Sequence, residues 1–187
     1  MKKKKSFMLA AIIMLAVAAL AIAMYFLLAR RESGPKAVPL DELRTDGEYR
    51  FGGLEWGASF QDVRKALPYK LLENQMGENE DGFATYNADV SFELGGSHAT
   101  AVYEFQDDGL TMVKFGFHLG EDYEEWFEAQ VQELTKLYGQ ETDRMENASD
   151  RFTSKGCRWD TEDTTLQIIL MTGEAIKPSG MIGVGVK

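Results

Sequence analysis

Cysteine is almost missing from this sequence: Cys157 is the single one in 187 residues. A lone thiol closes no disulfide within the chain and builds neither a cysteine-based zinc site nor a dithiol redox pair. The fold must therefore be held by its own core, for which about 150 residues suffice. Positive charge is also scarce once the start of the chain is set aside. Residues 1 to 36 hold 7 of the 20 basic side chains and 1 of the 30 acidic ones, so residues 37 to 187 carry 13 against 29, a net charge of −16. A surface of that sign repels phosphate backbones and anionic headgroups. No nucleic acid is expected as a partner, and attraction is expected toward cations or basic protein faces.

A long apolar run occurs only at the start. Lys2 to Lys5 precede 23 uncharged, mostly apolar residues from Phe7 to Ala29, and Arg30 and Arg31 follow. At about 1.5 Å per residue, such a helix spans roughly 35 Å, against about 30 Å of bilayer hydrocarbon. The rival reading is a cleaved secretory signal, whose apolar region runs to about 7 to 15 residues. Cleavage after Ala21-Ile22-Ala23 would leave "MYFLLARR" as an apolar new terminus. No cysteine directly follows the run, which excludes lipid attachment there. The organisation expected is a basic tail (1–6), a transmembrane anchor (7–29), a linker (30–48) and a domain (49–187). The flanking basic residues favour a single-pass protein at the cell membrane with its C-terminal domain extracytoplasmic.

The domain's apolar spacing alternates between two periods. Ser59 precedes Phe60, Val63 and Leu67 at helical spacing, with Asp62 three residues on as a capping-box partner, and Pro68 stops the helix. Val90, Phe92 and Leu94 then alternate with polar residues, as do Ala101, Tyr103 and Phe105, and Val113, Phe115 and Phe117 after the turn signal "DDG". "EDYEEWFEAQVQELTKLYGQ" repeats apolar residues at helical spacing behind an acidic first turn, and Gly139 ends it. Strand-like segments close the chain, with Leu166, Ile168 and Leu170 the strongest face. The fold class expected is α+β: an antiparallel sheet with two helices packed on one face, preceded by one N-terminal transmembrane helix.

"GGLEWGAS", Gly52 to Ser59, fits a phosphate-binding loop except that Ala58 replaces the lysine. Without that point charge, and without alternating strand–helix units, a helix start is expected here, with Trp56 packed beneath it. The pattern "GLEWGASFQDVRKAL", with the later "ELTKLYGQ" and "TTLQIIL", resembles small extracytoplasmic α+β domains of the SmpA/OmlA type, which share a β-lactamase-inhibitor-like fold. Those lipoproteins carry a lipidated cysteine where this chain has an apolar run. The resemblance implies a binding or scaffolding domain with no catalytic role.

Candidate chemistry is sparse. His98 follows Ser97 in sequence, but a nucleophile and its base need an orienting third group; His118 shares the outward face of its strand with Lys114. Both histidines are expected to be surface residues. Cys157 alternates with Trp159 and reads as a small apolar filler, although Lys155 and Arg158 are near in sequence. Glu78, Glu80 and Asp81 in "GENEDGF" are oxygen ligands suited to weak calcium binding, but their spacing departs from the EF-hand template. Glu121, Asp122, Glu124, Glu125 and Glu128 open the second helix and suit its dipole, and Asn147-Ala148-Ser149 matches a glycosylation acceptor. No catalytic, cofactor-binding or metal-binding residue is assigned and no cofactor is expected. The function expected is a non-catalytic domain contacting a protein or a cell-envelope component, reached by the N-terminal helix in the membrane. The alternatives are an envelope hydrolase using Glu104, Asp107 and Asp108, and a calcium-dependent sensor or adhesion module. Oligomeric state stays open.

Overall fold

The computed structural model describes residues 35–74, 82–149 and 151–187, and Pro35–Lys187 form one compact unit. The unit begins with β1 (Lys36–Val38), a 3-10 turn (Leu40–Leu43) and the short strands β2 (Arg44–Thr45) and β3 (Glu48–Tyr49). Helix α1 (Phe60–Ala66) follows, then β4 (Leu71–Glu73), β5 (Phe83–Leu94), β6 (Ser97–Gln106) and β7 (Gly109–His118). Helix α2 (Tyr123–Tyr138) leads to β8 (Asp143–Ala148), β9 (Thr153–Asp160), β10 (Thr164–Gly173) and β11 (Ile176–Val186).

Nine strands make one sheet in the order β1-β5-β6-β7-β11-β10-β9-β8, with β4 on β5, while β2 and β3 form a separate pair. This corrects the expected fold class. The domain is mainly β, its sheet is mixed because β1 runs parallel to β5, and its two α-helices are minor elements. Hairpin signals report antiparallel neighbours only, so a parallel pair between β1 and β5, distant in sequence, left no local trace. The linker is shortened as well: β1, the 3-10 turn and β2 fall within residues 30–48, and Leu40 and Leu43 are buried in the core. The expected transmembrane helix and signal anchor find no support in the structure. Residues 7–29 lie outside the described residues, and among those described no helix is long and apolar enough to cross a membrane.

Both helices pack on one face of the sheet. Ser59 Oγ accepts the Asp62 N–H at 3.3 Å, which caps α1, and donates to Asp62 Oδ2 at 2.8 Å. Phe60 then stacks on Tyr86 and meets Phe105 edge-on. Beneath α2 lie Phe127, Val131 and Leu134, all buried. The Trp126 ring lies on Phe117 and so close to Gly180 that a Cβ there would overlap the indole. Trp126 Nε1 donates to Ser97 Oγ at 3.1 Å, fixing the helix to the start of β6. In the middle of this face Phe51, Phe92 and Phe115 meet at T-shaped angles with centroids 4.9 to 6.0 Å apart. Tyr69 and Tyr103 share a 2.5 Å hydroxyl contact beside them, and burial pushes the Tyr103 phenol well above its ordinary value.

Candidate functional site

The residues singled out in the sequence are scattered by the fold and tied to structural partners. In the "GGLEWGAS" loop the Gly57 N–H donates to Leu110 O at 2.8 Å and the Phe60 N–H to Asp108 Oδ1 at 3.3 Å. These N–H groups, which a phosphate would need, are already used to dock the loop on the β6–β7 turn, and Gly57 supplies the positive φ of 78° that the path requires. Ser97 and His98 are successive strand residues and so point to opposite faces; Ser97 Oγ is occupied by Trp126. His98 and His118 are exposed. Cys157 is fully buried on the helix side, where Arg144 Nε donates to its sulfur at 3.2 Å.

The carboxylates have separate tasks. Glu104 is paired with Lys114 at 2.5 Å, while Asp107 and Asp108 shape the β6–β7 turn with φ of 50° and 65°. Glu124 and Glu128 reach across from α2 to Lys155 on β9, whose ammonium also sits 4.7 Å from the Phe127 ring centroid. Burial alone would lower the Lys155 pKa, but those two carboxylates more than offset it and the net shift is upward. Glu121, Asp122 and Glu125 stay at the exposed start of that helix, and Asn147 and Ala148 end the edge strand β8 with Ser149 just past it. Glu78, Glu80 and Asp81 lie outside the described residues. Among the described ones no group of three or more His, Cys, Asp or Glu is placed to hold a metal ion.

The face of the sheet away from the helices is where unusual chemistry collects. Neighbours in an antiparallel ladder share a face, so the register sets Asp160, Thr165, Gly185, Met112, Glu104 and Thr85 in one row. The next row holds Asp143, Arg158, Gln167, Gly183, Lys114 and Val102, and a third holds Met145, Gly156, Ile169, Met181 and Gly116. Arg158 stands 3.2 Å from Asp143 and 3.4 Å from Asp160, and Gln167 Nε2 lies 3.7 Å from Met112 Sδ. A hollow of about 420 Å³ opens at the β9–β10–β11 end, lined by Arg158, Asp160, Thr165, Gln167, Val186 and Lys187.

Among the described residues six buried side-chain polar atoms have no hydrogen-bond partner, and four of them belong to this face; Arg158 Nε is ion-paired with Asp160 Oδ2, which leaves Thr85 Oγ1, Asp160 Oδ1 and Thr165 Oγ1 unmet. Asp160 and Thr165 line the hollow. Donor and acceptor groups thus stand side by side, with charges neutralised locally, next to soft apolar side chains. That arrangement suits a neutral polar group such as a peptide unit, flanked by apolar contacts. Sequence reasoning missed the face. Its signal was the phase of the methionines. On β7, Met112 alternates out of step with the buried Val113, Phe115 and Phe117, and on β10 Met171 does so with the buried Leu166, Ile168 and Leu170.

No family model and no curated protein matches this chain. Among solved structures the chain is similar to a DUF4309 family protein (YjgB) from Bacillus subtilis subsp. subtilis str. 168, at 14% identity and a TM-score of 0.39, over 75% of this chain and 88% of that one. A likeness that distant carries no argument about this domain.

Proposed function

We propose that the domain acts by binding, without catalysis, and contacts a protein or a cell-envelope component through the open face of its sheet. The observation that most supports this reading is the presence on that face of three unmet buried polar atoms, Thr85 Oγ1, Asp160 Oδ1 and Thr165 Oγ1. A buried polar atom without a partner costs on the order of 1 to 3 kcal/mol, and native proteins keep few of them. The terminal torsion of an aspartate is broad, so a small turn of Asp160 presents Oδ1 to a partner laid over the hollow. Met112, Met145, Met171 and Met181 surround the polar rows with adaptable apolar surface, which favours a protein as the partner.

The test blocks the face with a bulky charge. A Cβ added at Gly183 would meet nothing closer than 3.5 Å, so the backbone admits a side chain there, and Gly183→Arg is compared at a melting temperature matched to that of the unsubstituted protein. Complexes captured by crosslinking in cells should be lost in Gly183→Arg and kept in Gln132→Arg, a change at an exposed position of α2. Equal capture by both variants, or turnover of an envelope polymer or peptide by the purified protein, would overturn the proposal.

A further inference from the structure

A second surface lies at the other end of the sheet. Between β1, the 3-10 turn and the C-terminal half of α2 runs a groove of about 560 Å³. Three charged residues line it, Asp41, Glu93 and Glu133, and all are acidic. Asp41 and Glu93 have no ion-pair partner among the described residues. Glu133 has only Lys136, 3.5 Å away on the same helix and well exposed, a pairing of little strength.

A separate observation points the same way. Gln130, in the groove lining, is 8% exposed, and its Oε1 has no hydrogen-bond partner, while its Nε2 donates to Gly95 O at 3.2 Å. The unmet atom is an acceptor, so what it lacks is an N–H or O–H donor. The last torsion of a glutamine is broad, so the amide can rotate to bring Oε1 to a donor in the groove, exchanging the Nε2 bond to Gly95 O for the new contact. Acidic walls and an unmet acceptor are both answered by a cationic nitrogen that carries hydrogens. Leu137, 38% exposed, adds an apolar contact at the groove's side.

We infer that this groove binds a basic protein segment, seating an arginine or lysine side chain between Asp41 and Glu133 with its stem along Leu137. The groove is independent of the open face.

The experiment titrates the full chain with a tetra-arginine peptide, and with tetraglutamine as control, at physiological salt. Asp41→Asn with Glu133→Gln is compared with Glu162→Gln and Glu174→Gln, two exposed positions outside the groove that remove the same charge. The groove pair should weaken binding about fivefold or more and the control pair less than about twofold, since general attraction depends on net charge alone. Gln130→Met, which keeps the volume but removes the Nε2 bond to Gly95 O together with the unmet Oε1, should weaken binding while the chain stays folded at the titration temperature, and amide shifts on titration should centre on Gly95 and Gly96. Equal weakening by the two pairs, shifts centred elsewhere, binding of tetraglutamine equal to that of tetra-arginine, or no binding of tetra-arginine would overturn the inference.

Discussion

On the helix side of β7, Val113, Phe115 and Phe117 are shut beneath aromatic neighbours; on the other side of the same strand, Met112, Lys114 and Gly116 lie half-open. The same contrast runs through β10, where Leu166, Ile168 and Leu170 are buried against Gln167, Ile169 and Met171. One face devotes its residues to close-packed rings and to two helices locked by Trp126 and Phe60. The other keeps glycines, methionines and polar atoms that the domain itself leaves unmet. Stability is therefore concentrated on the first face, and the second is free to be shaped by what it binds.

The sharpest way to break this comparison is in the aromatic centre. Phe115→Ala should lower stability by about 3 to 5 kcal/mol, measured by denaturant unfolding. Gly180→Ala pushes a methyl group into the Trp126 indole and should cost about 1 to 3 kcal/mol by overpacking, with loss of near-ultraviolet tryptophan dichroism. On the open face the sign should reverse. Thr165→Val removes a hydroxyl that has no partner and keeps the branched shape, so stability should stay level or rise by up to about 1 kcal/mol. A loss above about 1 kcal/mol would show that the hydroxyl is satisfied within the domain.

The smallest effect concerns pH. Hydrogen bonds from the Thr161 and Thr164 hydroxyls hold the Glu48 carboxyl below its ordinary value. A depressed folded value means that the stabilisation is present above the ordinary carboxylate range and is lost as pH falls through the folded value. Unfolding followed from about pH 7 to about pH 3, across the ordinary carboxylate range, should therefore show a loss at the acid end that is smaller in Glu48→Gln.

Much of the covered face was legible in the sequence. Ser59 with Asp62, the helical spacing from Tyr123 to Tyr138, and the alternation in β6, β7 and β10 are local signals, and each is written within a few residues. What local signals could not carry was pairing. β1 has three residues between Pro35 and Pro39, a composition that reads as a tether, and its parallel partner is β5. The open face needed the register of its strands before Asp160, Thr165 and Thr85 could be seen in one row. The Gln130 groove likewise joins residues from separate stretches of chain.

The most direct test of the recognition surface is a scan with a photo-crosslinking residue placed in turn at Met112, Met145, Met171 and Met181, and at Glu125 and Gln132, exposed positions of α2 outside the groove, in intact cells. The expected result is one common adduct from the four sheet positions and none from the two helix positions. Adducts from the helix alone, or no adduct from any sheet position, would contradict the assignment of the open face as the binding surface.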